Sequence, residues 1–380
     1  MKNLAIFYGG KSAEHDISII TALQVMNNID TKKYNIVPVY IHSDNSWHIL
    51  DSYTEIYIYT QNKLKGKQLS TGFFDGYLLE KKRFGFKKYK KIDVAINCCH
   101  GLNGEDGSLS GLIQLSNIPL VGSNVVASAV GMDKVIMKDV FVANNIPCVK
   151  YSYFYKEHYE KNKDDILLMA EVNLNYPIIV KPANLGSSIG ISISNNREEL
   201  QKSIKIALCY DKKIILEQVV PNLREINCSV MGSQNNSMVS ILEEPKNWTS
   251  FLDFDEKYLK ANKNNNKKTI NVKLEPTTLK TIKELSKKVF TVLGCSGVVR
   301  IDFLLNDKTK EVYVNEINTI PGSLANYLWG NKYTFCQLLN KLIENAESEY
   351  LYNNMYTYAY KSNVLQNYKK TNKTTKFVKK

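Results

Sequence analysis

The sequence predicts an α/β protein of two or three domains, opening with a parallel sheet whose loops bind a ligand. Three observations carry this. The chain has 380 residues, more than one ordinary core holds. Its first 125 residues alternate strand and helix patterns, which implies a parallel sheet with binding loops at the strand ends. The stretch "IIVKPANLGSSIGISISNN" at 178–196 sets a lysine and a glycine-rich turn between two apolar runs.

In chain order, "LAIFYGG" reads as a buried strand, Ser18 to Ile29 as an amphipathic helix, and "NIVPVYI" and "VAINCCHG" as further strands. A helix follows around Leu109 to Leu115, then the short strand "PLVGS". From Ala127 to Asn145 the apolar spacing is helical, and Pro147 ends it. "NYPIIVKPANLGSSIGISIS" reads as a hairpin, because Ile189, Ile191 and Ile193 alternate with small polar residues. After a helix at Glu198 to Leu208 comes the buried strand "KIILEQVV". The third region contains "EINCSVMG", a polar loop at 246–270, a helix at Pro276 to Leu293, and paired strands "GVVRIDFLL" and "EVYVNEIN". Beyond about Ser348 the chain reads as weakly ordered.

Composition narrows the class. Apolar residues make up 44% and charged residues 23%, as in soluble globular proteins. No run of about eighteen apolar residues offers a membrane span, and the N-terminus lacks a signal-peptide pattern, so a cytoplasmic location is expected. The seven cysteines are odd in number and lack C-x-x-C spacing, which predicts buried free thiols. The net charge of +13 raises the question of nucleic acid. More than half of it belongs to residues 350–380, with seven lysines and no acid. The run "KKRFGFKKYKK" at 81–91 interleaves aromatics with lysines, as a base-stacking surface does. A solvated hairpin is the plainer reading and the one adopted, so no nucleic-acid partner is expected.

Two constellations carry chemistry. Lys181 lies on the strand entering the Gly-Ser-Ser turn, where small residues let backbone N–H groups approach an anion. It is read as a phosphate contact rather than a solvated strand end. In "RIDFLLNDKTKEVYVNEINTIPG", Arg300 and Asp302 share a strand face. A hairpin at 306–308 brings Asp302 toward Glu316 and Asn318, whose oxygens suit Mg²⁺. Acids ion-paired at a sheet edge are the competing reading, less apt beside valine, isoleucine and phenylalanine. Glu217, closing an apolar strand, is either a surface acid or the partner of a purine amino group, with the next backbone groups, at Val219 and Val220, reading the ring edge.

Together, Lys181, Gly186-Ser187-Ser188, Glu217, Arg300, Asp302, Glu316 and Asn318 resemble the ATP-grasp ligases. "GGKSAEHDIS" at 9–18, "HGLNGEDGSLSGLIQLSNIPLVGS" at 100–123, "SAVGMDKVIMK" at 128–138, "KYLKA" at 257–261 and "NEINTIPGS" at 315–323 narrow the resemblance to the D-alanine-D-alanine ligases, over about residues 3–343. The resemblance implies an ATP-grasp fold with an N-terminal Rossmann-like (pre-ATP-grasp) parallel-sheet domain. Residues 1–125 would form that domain, 126–215 the central subdomain with the glycine-rich flap, 216–348 the C-terminal subdomain with the metal and oxyanion site, and 349–380 a basic tail.

The implied reaction uses ATP and two Mg²⁺ ions, with Mn²⁺ as a substitute, to join two D-amino acids through an acyl phosphate, making D-alanyl-D-alanine for peptidoglycan. By resemblance, Lys134 and Lys181 neutralise phosphates and Ser188, Glu217, Val219, Val220, Glu225 and Lys257 complete the nucleotide site. Asp302, Glu316 and Asn318 hold metal, while Arg300 and the Gly322 N–H receive the oxyanion. Glu14 binds the ammonium of the first amino acid, and Ser187 and Tyr258 link Glu14 to the loop at 246–262. His100 either lies near that first substrate or caps a strand. The Lys257-Tyr258 pair implies a peptide product rather than an ester. A homodimer is expected.

Two departures stand out. "QVVPNLR" makes the Glu217 to Glu225 spacing one residue longer than usual, which puts Glu225 in question. After Ser323, "LANYLWG" places Tyr327 before Leu328 where the family has a small hydroxyl that receives the second substrate's carboxylate. A phenol there either shrinks the acceptor pocket or turns outward, leaving open a different acceptor such as D-Ser. A non-catalytic ATP-binding or nucleic-acid-associated protein is the rival from another class, disfavoured by the joint presence of oxyanion and metal groups.

Overall fold

The computed structural model describes residues 1–61, 64–245, 268–357, 362–365 and 368. Lys257, Tyr258 and the rest of the loop at 246–267 lie outside the described residues.

The first sheet has eight strands. They are β1 (Lys2–Gly9), β2 (Tyr34–Ile41), β3 (Trp47–Leu50), β4 (Gly66–Phe74), β5 (Tyr77–Lys81), β6 (Phe86–Lys91), β7 (Val94–Asn97) and β8 (Leu120–Val121), ordered β6-β5-β4-β3-β2-β1-β7-β8. Its parallel part is β2-β1-β7-β8. Leu4 to Tyr8 are completely buried, as a central strand covered on both faces requires. The sheet is mixed rather than parallel throughout, because β3 to β6 extend it as an antiparallel meander. The basic run at 81–91 is the hairpin of β5 and the edge strand β6. Exposed lysines on an edge strand block pairing with another chain.

The second sheet comprises β9 (Tyr151–Tyr155), β10 (Ile178–Pro182), β11 (Ser192–Ser194) and β12 (Lys213–Gln218), in the order β11-β10-β12-β9. β10 and β11 are the hairpin across the glycine-rich turn. The third comprises β13 (Leu223–Ser233), β14 (Asn236–Pro245), β15 (Lys268–Ile270), β16 (Gly297–Asn306) and β17 (Val312–Asn318), in the order β15-β14-β13-β16-β17. One of its faces packs Ile226, Cys228, Val299, Ile301 and Phe303 with Ile282 and Phe290 of helix Pro276–Val292.

Three local features differ from the sequence reading. The helix expected over 127–145 is two, Val125–Met132 and Lys134–Ala143. Asp133 breaks it by taking an extended conformation and accepting the N–H groups of Val135 and Ile136 as a new N-cap. The loop at 246–270 ends in a strand, since Lys268 to Ile270 pair with β14. The last long helix, Phe335–Asn353, continues past Ser348, where Glu349 is still partly buried and that burial raises its carboxyl. Its start carries a capping box between Thr334 and Gln337. Among the described residues no helix is long and apolar enough to cross a membrane, and all seven cysteines are free.

Candidate active site

The three sheets meet around one polar cluster. Lys181 is the next-to-last residue of β10, and the turn beyond the strand passes through left-handed Ser187, Ser188 and Gly190 at φ 53°, 60° and 73°. This turn reaches the N-terminal end of helix His15–Met26, where the Ser187 hydroxyl donates to Glu14. A Cβ on Gly186 would lie 2.9 Å from Glu14 Oε2, so a larger residue here would have to displace the Glu14 carboxylate.

Cations gather beneath the turn. Lys181 Nζ lies 2.6 Å from Glu217 and 3.4 Å from Asn315 Oδ1. Lys138, fully buried, contacts Glu217 at 3.1 Å. Lys134, first in its helix because of the Asp133 break, donates to the Leu185 carbonyl at 2.8 Å and sits 3.5 Å from Glu316. Burial pushes the Glu217 carboxyl up, but Lys138 and Lys181 outweigh it and hold it at about 2. Burial likewise works against charge on Lys181, yet Glu217 and Glu316 keep its pKa above the usual lysine value. The carboxylate read as a partner for a purine amino group is thus already gripped by two lysines. Glu225, across from Leu304, lies close enough to Lys181 to act on its charge despite the longer connection. Val220 is buried with Val149 and Leu304.

The β16-β17 register sets Arg300 opposite Asn318 and Asp302 opposite Glu316, so all four share one face. A bulge leaves Asn315 without a partner on β16 and lets it meet Lys181. Asp302 is engaged by Arg300 Nε and Nη2 at 2.7 and 2.8 Å and by Asn318 Nδ2 at 3.0 Å. Burial disfavours the Arg300 charge, and Asp302 more than restores it, raising its pKa well above the ordinary value. The oxygens of Asp302, Glu316 and Asn318 are hard donors of the kind Mg²⁺ takes. For the three to share an ion, the Asn318 amide turns its oxygen inward and Arg300 releases Asp302.

The opposite corner is built by helix His15–Met26 and the turn after β7. His100 is buried, bonded through Nε2 to Thr21 at 2.9 Å and through its backbone N–H to Ser18 at 2.9 Å. Burial, opposed by a bond to the Ile320 carbonyl, brings its pKa down to about 4, so the ring is neutral at pH 7. Glu105 accepts from the Gly101 N–H at 2.8 Å. Burial and the neighbouring Glu14 carboxylate raise it to about 8.

The segment Gly322–Leu328 closes the site. Ser323, Leu324 and Ala325 are consecutive left-handed residues, each costing roughly 1–2 kcal/mol. Burial of Leu324, Ala325, Leu328 and Trp329 offsets this. The Ser323 N–H meets Thr21 at 3.3 Å. Tyr327 turns inward, packed against the N-terminal core and close enough to Arg300, Glu243 and Asp302 to feel their charges. Sequence reasoning missed Lys138, Glu105 and Glu243. Lys138 lies one helical turn after Lys134 in "MDKVIMK", a spacing that could have flagged it.

The family model "D-ala D-ala ligase N-terminus" matches residues 3–123 and "D-ala D-ala ligase C-terminus" residues 140–344. A D-alanine-D-alanine ligase of Thermosipho melanesiensis is 41% identical over 348 residues, covering 90% of this chain and 93% of that protein. One of Staphylococcus epidermidis is 36% identical, covering 92% and 96%. The D-alanine-D-alanine ligase of Coxiella burnetii superposes with a TM-score of 0.78 at 25% identity, covering 97% of this chain and 99% of that one. The VanG D-Ala:D-Ser ligase of Enterococcus faecalis does so with 0.77 at 29%, covering 91% and 99%.

Proposed function

Since the chain belongs to the D-alanine-D-alanine ligase family of ATP-grasp carbon-nitrogen ligases, we propose that it makes D-alanyl-D-alanine for peptidoglycan in the cytoplasm, as a homodimer. The observation that carries this reading is the convergence of Glu14 and Ser187, Lys134 and Lys181, and the Arg300, Asp302, Glu316, Asn318 face on one cluster.

In the reaction, a carboxylate oxygen of the first D-alanine attacks the γ-phosphorus of ATP and ADP departs. The amine of the second D-alanine then attacks the acyl carbon, and phosphate leaves with that carboxylate oxygen. Glu14 holds the ammonium of the first substrate, with His100 beside it. Lys134 and Lys181 offset the phosphate charge while Ser188 and the turn's N–H groups fix its position. Glu217, Val219, Val220 and Glu225 line the adenosine side. Arg300 and the Gly322 N–H face the oxyanion of the tetrahedral intermediate. Asp302, Glu316 and Asn318 would hold Mg²⁺, which when bound neutralises phosphate charge. Ser323, Tyr327 and Leu328 lie on the acceptor side. The inward Tyr327 favours a second reading, a D-Ala-D-X ligase with a different acceptor. A phosphate-release screen over pairs of D- and L-amino acids tests both. D-Ala-dependent turnover is expected, and its absence would refute the reading.

A further inference from the structure

Protection of a sheet edge explains only part of the β5-β6 hairpin. Every residue from Lys81 to Lys88 is exposed, while Leu69, Leu78 and Phe73 of the same strands pack into the core. The tip therefore projects clear of the sheet. Residues 81–91 hold seven lysines and arginines and no acid. Lysines suffice to keep another strand from pairing with β6, but exposed aromatic rings work against that end. Phe84 is 87% exposed, and Phe74 and Phe86 are each 59% exposed. Phe84 and Phe86 flank Gly85, which turns the chain at φ 78° and accepts from the Lys82 N–H at 3.0 Å. The acids alongside, Glu80 and Asp75, are paired with Lys82 at 2.5 Å and Lys88 at 3.7 Å, so positive charge dominates around the rings.

We infer that this hairpin docks the protein on an anionic lipid surface, with Phe84 and Phe86 entering the headgroup layer and Lys82, Arg83 and Lys87 meeting lipid phosphates. An apolar tip ringed by cations matches the two layers of such a surface, apolar boundary and negative headgroups. Arg83 lies 5.4 Å from the Phe84 ring centroid, which sets a phosphate-binding fork beside the ring that enters. Nucleic acid carries the same charge, but it stacks bases on open ring faces. Lys88 already lies over Tyr77 at 4.4 Å and over Phe74 at 5.2 Å, and Lys67 lies over Tyr89 at 5.3 Å, so those rings are capped by cations. The open edge of β6 carries backbone groups that must stay in water, which keeps the docking shallow and reversible. β6 stands five strands from β1, roughly 24 Å at about 4.8 Å per strand, so a docked molecule leaves the Glu14 corner open to soluble substrates.

The test uses the full-length protein and sucrose-loaded vesicles of phosphatidylcholine, alone or with about one third phosphatidylglycerol, at about 0.1 M salt. The protein is expected to sediment with the anionic vesicles and not with the neutral ones. Arg83→Gln/Lys87→Gln should weaken binding roughly 25-fold, about fivefold per cation. Phe84→Ser/Phe86→Ser leaves the charge unchanged and should weaken it about tenfold. Both variants should melt with the parent, since all four side chains are exposed. Phe84→Trp gives a second readout, a blue shift of its emission on adding anionic vesicles. A chain ending after Met355 should still bind in a phenylalanine-dependent way. Failure of the parent to sediment, or no blue shift, would overturn the proposal. Binding indifferent to the phenylalanines would also overturn it, because net charge alone then accounts for the attraction. Binding lost with the basic tail would assign it to the tail instead, and tighter, phenylalanine-dependent binding to a single-stranded oligonucleotide would make the hairpin a nucleic-acid surface; either result overturns the lipid assignment.

Discussion

Replacing Lys138 by Met removes one of the two cations that hold Glu217, and the structure sets the size of the effect. Both residues are buried, 3.1 Å apart. The Glu217 carboxyl sits at about 2 instead of its ordinary 4.5, and one pKa unit is worth about 1.4 kcal/mol, so the two lysines together contribute about 3 kcal/mol after overcoming burial. The native state binds the Glu217 proton more weakly than the unfolded chain does. That contribution is therefore complete above pH 4.5 and is lost as pH falls toward 2. Breaking a buried pair from one side costs about 3–5 kcal/mol, and for a chain of 380 residues, at about 1.3 °C per kcal/mol, the lower bound corresponds to a Tm decrease of about 4 °C. Calorimetry at pH 7 measures it. Lys138→Met/Glu217→Gln, which removes both charges, should recover most of the loss. A Tm for Lys138→Met equal to that of the parent, or a double variant less stable than either single one, would refute the reasoning.

Glu316→Gln should nearly abolish phosphate release while leaving the fold intact, and unchanged activity at limiting Mg²⁺ would remove Glu316 from the metal set. The Glu105 carboxyl is raised to about 8, so the native state keeps a proton that the unfolded chain sheds, and stability should decline as pH rises from about 4.5 to 8; Glu105→Gln should flatten that decline in a pH series of melts. A chain ending after Met355 should keep its turnover, because the helix is complete at Asn353. One ending at Ser348 should melt earlier, since it loses the last turn of that helix, where Glu349 and Tyr350 are still partly buried.

Strands such as Leu4 to Tyr8 and the Arg300 to Asn318 hairpin were legible because apolar runs and turn residues mark them directly. The extension β4 to β6 was less so, because "FKKYKK" lacks the alternation of a half-buried strand and its pairing depends on neighbours. The break at Asp133 was hidden by apolar spacing that continues through it, whereas its cause is a single side chain turned back on two N–H groups. The site was legible where residue type and loop chemistry coincide, at Lys181, Ser187 and Asp302. Nothing in "ILEEP" singles out Glu243. Only the register of β14 against Asn227, and the inward turn of Tyr327, bury it beside Arg300.

The central claim is that ATP drives joining of two D-amino acids through an acyl phosphate on the first. The most direct test supplies D-Ala labelled with ¹⁸O in its carboxylate, together with ATP and Mg²⁺, and analyses phosphate and dipeptide by mass spectrometry. An acyl phosphate transfers one carboxylate oxygen to the released phosphate in step with dipeptide formation. Unlabelled phosphate, or phosphate release that does not depend on D-Ala, would contradict the account.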